Sequence, residues 1–129
     1  MRIGLLGGTF NPPHHGHLIC AEEARIQLDL ERVLLIPAAH PAHRELDPEQ
    51  DASPAQRLQM CRLAAEGQTG LDVSEIEIDR PETSYTVDTL ELLAKDSPSD
   101  ELTLIVGADQ ALSFGNWREP ARIGELATV

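Results

Sequence analysis

Two histidines three residues apart, His14 and His17, follow two glycines and two prolines in the run Gly7-Gly8-Thr9-Phe10-Asn11-Pro12-Pro13-His14-His15-Gly16-His17-Leu18. Imidazoles donate hydrogen bonds to phosphate oxygens and can carry positive charge near neutral pH. Three apart on a helical turn, they face the same spot. The glycines permit a sharp turn and let a ligand approach the backbone, and the prolines stiffen the loop by fixing φ. A helix opening at Gly16 and His17 would add unpaired N–H groups and the positive end of a helix dipole. Such a set suits the charge that gathers on a phosphoryl group during transfer. Thr9 and Phe10 are placed to offer backbone N–H groups to phosphate, with turn packing as the competing reading.

The familiar glycine-rich phosphate loops are absent. There is no G-x-x-x-x-G-K-[ST] and no G-x-G-x-x-G, and the only lysine, Lys95, lies far along the chain. Imidazole and arginine must therefore handle phosphates. His40 and His43 form a second H-x-x-H, followed by Arg44; a phosphate contact and a solvated loop charge are both open for Arg44. The two histidine pairs also leave a zinc site open, although no nearby cysteine or H-E-x-x-H supports one. Cys20 and Cys61 lack metal-like spacing and are expected as free, buried thiols in a reducing cytoplasm.

The elements that must position these residues alternate. Strands are expected near residues 2–6, 32–36, 72–78 and 102–106, and helices near 17–28, 54–66, 87–95 and 108–114. Ser53-Pro54-Ala55-Gln56 carries a helix-start signature, with Ser53 as cap and Gln56 at the third helical position, and Gly67 can end that helix. This order predicts an α/β chain with a parallel sheet and right-handed crossovers. Ligands of such sheets bind beyond the carboxyl ends of the strands. Both the Gly7 loop and Gly107-Ala108-Asp109 fall at such ends. Asp109 could accept hydrogen bonds from a ligand's hydroxyls, cap the next helix, or do both.

At 129 residues the chain has the size of one domain, with a net charge of −12. The imbalance is local: residues 1–44 hold four acids, four basic residues and all five histidines, whereas residues 45–129 hold 18 acids against 6 basic residues. That surface would repel nucleic acid and anionic membranes. The neutral first third leaves a way in for an anionic nucleotide. No stretch approaches the ~18 apolar residues of a membrane span, and no leader is read before Met1-Arg2, so a cytoplasmic location is expected.

The run from Gly7 to His17 resembles the signature of the nucleotidyltransferases with an H-x-G-H motif, and within them it is most similar to the bacterial nicotinate-nucleotide adenylyltransferases. Further likenesses are Val33-Leu34-Leu35-Ile36-Pro37-Ala38, Arg57-Leu58-Gln59-Met60, Arg80-Pro81 with Ser84-Tyr85-Thr86-Val87-Asp88-Thr89-Leu90, and Val106-Gly107-Ala108-Asp109 with Trp117. The resemblance implies a Rossmann-like nucleotidyltransferase fold with helices on both faces of the parallel sheet. It implies adenylyl transfer from ATP to nicotinate mononucleotide, giving deamido-NAD and pyrophosphate, with Mg²⁺ arriving on ATP and no protein metal site. It makes His14 and His17 the catalytic pair and leaves His15 at a variable position. Gly8, Thr9, Phe10, Gly107 and Asp109 would join them in binding ATP. Trp117 would stack on the nicotinate ring, or serve as a core tryptophan, with Tyr85 and Thr86 near the same subsite. Arg44 stands where the family usually has lysine, which changes a point charge into a planar fork. Arg57 is expected to orient or pair. Alternatives are another phosphate acceptor (nicotinamide mononucleotide or phosphopantetheine) and a non-catalytic nucleotide-binding fragment. Glu125 to Val129 reads as the start of a fifth strand. Residues 1–129 are therefore expected to form a single nucleotidyltransferase domain truncated at the C-terminus, without the family's later Ser/Thr-x-x-Arg segment.

Overall fold

Apolar side chains alternate along the first strand, β1 (Arg2–Gly8), so that Ile3 and Leu5 enter one core cluster and Leu6 enters another. A strand buried on both faces needs helices on both sides. The computed structural model describes residues 2–8, 10, 15–38, 52–78, 85–106 and 114–128. Beside β1 run β2 (Arg32–Pro37), β3 (Leu71–Val73) and β4 (Glu101–Ile105), all parallel, in the order β3-β2-β1-β4. The helices are α1 (His15–Gln27), α2 (Pro54–Ala65), α3 (Thr86–Asp96) and α4 (Pro120–Leu126), with a single 3₁₀ turn at Phe114–Asn116. Ala21 of α1 and Cys61 of α2 cover Leu6, Val33 and Leu35. On the other face Val87 and Leu90 of α3 and Ile123 of α4 cover Ile3, Leu5, Ile36, Leu102 and Leu104. This is the expected Rossmann-like arrangement.

Local signals explain several boundaries. Ser53 Oγ accepts from the Gln56 N–H at 3.1 Å, and the Ser53 N–H donates to Gln56 Oε1 at 2.8 Å, closing the capping box ahead of α2. Gly67, at φ 76, follows the end of that helix. Gly4 lies where an added Cβ would stand 2.7 Å from Leu30 Cδ1 and 3.1 Å from Val33 Cγ2, so close packing requires glycine there.

Three expectations change. The strand expected over 72–78 stops at Val73, and residues 76–78 turn. The alternating Val-Ser-Glu-Ile-Glu-Ile pattern is overridden by a tertiary bond: the carboxylate of buried Glu77 accepts from Thr89 Oγ1 on α3 at 2.7 Å. The extended segment expected from Glu125 begins later, because α4 runs through Leu126 and started unseen at Pro120. Thr128 then makes a parallel bridge with Thr103, donating to the Leu102 carbonyl at 2.9 Å. Cys61 is buried as expected, but Cys20 is exposed. The helix expected at 108–114 falls outside the described residues except for Phe114, which opens the 3₁₀ turn.

Arg57 has no exposed surface. Its Nε–H donates to the Ala52 carbonyl at 3.2 Å and its Nη1 group to the Ala38 carbonyl, which ties the residue after β2 to the approach to α2. The pairing expected of Arg57 is thus made with backbone. Arg57→Ala removes both donors and leaves a cavity, so it should lower the unfolding free energy by at least ~3 kcal/mol in a urea titration. Arg57→Lys, with one compact donor group for two separated carbonyls, should recover only part of the loss.

Burial pushes the Cys61 thiol up to about 11, while the neighbouring Arg57 charge pulls the other way. The fold favours the neutral thiol, so this contribution is complete below the unfolded thiol's pKa of ~8.5 and fades as pH climbs towards the folded value. Alkylation of the native protein at pH 8 should modify Cys20 and spare Cys61 until urea unfolds the chain, as read by peptide mass spectrometry.

Candidate active site

The strand order makes β1 the turning point of the sheet. β2 and β3 lie to one side and β4 to the other, with Leu6 opposite Leu35 on one flank and Ile105 on the other. Crossovers leaving in opposite directions open a crevice beyond the carboxyl ends of β1 and β4, where ligands of open α/β sheets sit.

Gly7 and Gly8 still belong to β1, in register with Ile36 and Pro37. The Gly8 carbonyl accepts from the Ala38 N–H at 3.0 Å. Neither glycine has a positive φ; among described residues of this turn, Phe10 does, at 51°. Gly7 and Gly8 themselves therefore remain in the strand and do not make the sharp turn expected of them. Among the described residues, an added Cβ at Gly8 would meet the Phe10 ring at 3.5 Å, and one at Gly7 the Ile36 carbonyl at 3.9 Å. Both distances are ordinary contacts, so the described packing does not require glycine at either position. What their smallness provides is bare backbone at the mouth of the crevice.

His17 lies in the first turn of α1, half-buried. Its ring meets that of Phe10 edge to face, with centroids 4.8 Å apart and planes at 72°. The first turn of α1 contains no acidic side chain of its own to offset the positive end of the helix dipole. His14, Thr9, Arg44, Gly107 and Asp109 lie outside the described residues, as do His40 and His43.

A second group gathers on the opposite face. Tyr85 caps α3 without a side-chain bond and Thr86 begins that helix. Tyr85, Val106 and Phe114 pack against the cluster that includes Trp117. Trp117 is 8% exposed, and its ring lies 5.2 Å from that of Phe114. The Arg118 guanidinium sits 4.7 Å from the centre of the Tyr85 ring, a cation–π distance. Sequence reasoning missed Arg118. Its only signal was adjacency to Trp117, because a contact with Tyr85 spans more than thirty residues and has no periodicity. The sequence-selected residues that are described thus form two sets. Gly8, Phe10 and His17 surround the end of β1, and Tyr85, Thr86 and Trp117 lie where α3 begins and the chain has left β4.

The parallel sheet with helices on both faces defines an α/β class, and the chain belongs to the cytidylyltransferase-like family, whose model matches residues 5–128. It is 49% identical over its full length to a protein of Geobacter sp. (strain M21) named "Probable nicotinate-nucleotide adenylyltransferase", covering 59% of that protein. It is 50% identical to a protein of the same name from Roseiflexus castenholzii, over 99% of this chain and 63% of that one. The chain therefore spans about 60% of the length of these curated relatives. Among solved structures, Plasmodium falciparum nicotinic acid mononucleotide adenylyltransferase complexed with NaAD superposes with a TM-score of 0.81. At 15% identity, over 95% of this chain and 59% of that one, this likeness concerns the fold. No helix among the described residues is long and apolar enough to cross a membrane.

Gly8→Ala separates folding from chemistry. The added methyl should leave the melting temperature within ~2 °C, because its contacts are unstrained, while a phosphate held against that backbone would be displaced. Turnover should then fall at least ~10-fold, as measured by pyrophosphate release in the full chain.

Proposed function

We propose that this chain carries the donor site and part of the acceptor site of an adenylyltransferase. The enzyme would move AMP from ATP to nicotinate mononucleotide, forming deamido-NAD and pyrophosphate. The observation that carries this reading is glycine backbone at the end of the central strand, with an imidazole in the first turn of the following helix, at the turning point of a parallel sheet. The names of the relatives support the substrate pair, and the NaAD bound by the Plasmodium protein is the same kind of product.

The triphosphate of ATP would lie along Gly8, Thr9 and Phe10, with His14 and His17 donating to its oxygens. Gly107 and Asp109 would hold the adenosine end. A 5′-phosphate oxygen of nicotinate mononucleotide attacks the α-phosphorus in line. The bond from that phosphorus to the bridging oxygen breaks, and pyrophosphate leaves with the electron pair. No enzyme-bound covalent intermediate is required, because positioning and charge stabilisation carry phosphoryl transfer. Mg²⁺ would arrive with ATP, be held mainly by phosphate oxygens and water, and neutralise part of the triphosphate charge.

Trp117, Tyr85 and Thr86 would take the acceptor, with Arg44 contributing charge. Arg118 fits this assignment: among the described arginines it alone makes no hydrogen bond or ion pair, and its charge sits over Tyr85. The acidic surplus elsewhere argues against nucleic-acid and anionic-membrane partners and agrees with a cytoplasmic enzyme.

In the full chain, His17→Ala should cost at least ~10² in kcat with the melting temperature little changed, in line with loss of a transition-state donor. Turnover within threefold of wild type would remove His17 from the mechanism. Pyrophosphate release with nicotinate mononucleotide, nicotinamide mononucleotide and phosphopantetheine in turn identifies the acceptor. Preference for either of the latter two would overturn the assignment.

A further inference from the structure

Phe10 occupies a backbone conformation that a bulky residue normally avoids. Its φ of 51° lies in the left-handed region, where Cβ crowds the backbone and glycine is the relaxed choice. Yet the chain places a large ring there, 3% exposed, in the cluster formed by Leu6, Ala21, Leu35 and Cys61. Apolar burial alone does not need an aromatic ring or this conformation. Among the described residues, the ring's directional contact is the edge-to-face meeting with His17 at 4.8 Å. Such pairs have a preferred geometry because the positive edge of one ring is drawn to the negative face of the other. Strain of this kind persists where surrounding structure over-determines it, and it clusters at functional sites.

We propose that Phe10 is a positioning residue for His17. The left-handed backbone carries the ring back beneath the first turn of α1, and the ring holds the imidazole in one orientation towards the crevice. This inference rests on the part assigned to His17 in the adenylyl transfer proposed above. Phe10 contacts the substrate through its backbone only, so its side chain acts on the step that uses the imidazole. Substitution should therefore lower kcat and leave the KM for ATP nearly unchanged.

The test is a double-mutant cycle in the full chain. Phe10→Leu keeps apolar bulk and removes the ring. It should lower kcat ~10-fold, equivalent to about 1.4 kcal/mol of barrier, with KM for ATP within ~3-fold of wild type. In a His17→Ala background the same change should cost less than ~2-fold. A ~10-fold cost in both backgrounds would mean that Phe10 acts through the fold and would overturn the proposal alone. Wild-type turnover in His17→Ala itself would overturn the catalytic reading and the proposal with it. Phe10→Gly relaxes the backbone and also removes the ring, so it too should lose kcat; wild-type kcat in that variant would sink the idea. Should both variants fold poorly, proton NMR of the unmodified chain still decides. Ring-current displacement of the His17 imidazole resonances and cross-relaxation with the Phe10 ring are expected, and their absence would refute the contact.

Discussion

The double coverage of β1 is the constraint from which the rest follows. Its side chains must be buried alternately above and below, with β2 on one edge and β4 on the other. Two hydrogen-bonded neighbours satisfy its backbone, and helices on both faces remove its apolar groups from water. Once that strand is central, its carboxyl end necessarily opens at the point where the sheet changes direction. The position of the candidate site is thus a geometric by-product of how the core is buried.

The chain leaving β1 and the chain leaving β2 are held by different means. β1 stays paired to its last residue, Gly8, and two residues further on Phe10 takes a left-handed conformation. Beyond β2, the buried guanidinium of Arg57 grips the carbonyls of Ala38 and Ala52. A fully buried cation is costly unless its donors are used. Here its fork supplies directed bonds where no strand partner is available. Glu77 and Thr89 play a comparable role on the other face, joining the segment after β3 to α3 through one buried polar contact. The apolar clusters set the layers, and these few polar links fix how the connections leave them.

What the sequence disclosed about this fold is what depends on near neighbours. The capping box at Ser53 and Gln56 and the glycine after α2 involve residues a few positions apart, and both were legible. The parallel order followed from alternating apolar strands and helices. The end of β3 was not legible, because the pattern through Ile78 is that of a strand and only the distant Thr89 reveals otherwise. A sharp turn was expected at Gly7 and Gly8 because they lack Cβ, whereas both stay in β1 and the left-handed φ falls on Phe10, where tertiary packing outweighs intrinsic preference. The helix at Pro120 was hidden behind Gly124, although a proline at the first helical position is a start signal. Of the site, the residue types around Gly8 and His17 were readable from spacing, but the ring contact that joins Phe10 to His17 and the cation over Tyr85 arise only when the elements assemble.

The shortness of β3 bears on how the molecule behaves in a crowd. It forms the border of the sheet, and a border strand exposes a row of unsatisfied peptide groups to any stray extended chain. Three residues present too brief a template for such a guest to latch onto, and the charged pair of Arg32 and Asp72 stands close beside it. The sheet thereby discourages self-stacking along that margin without needing a helix or a loop laid across it.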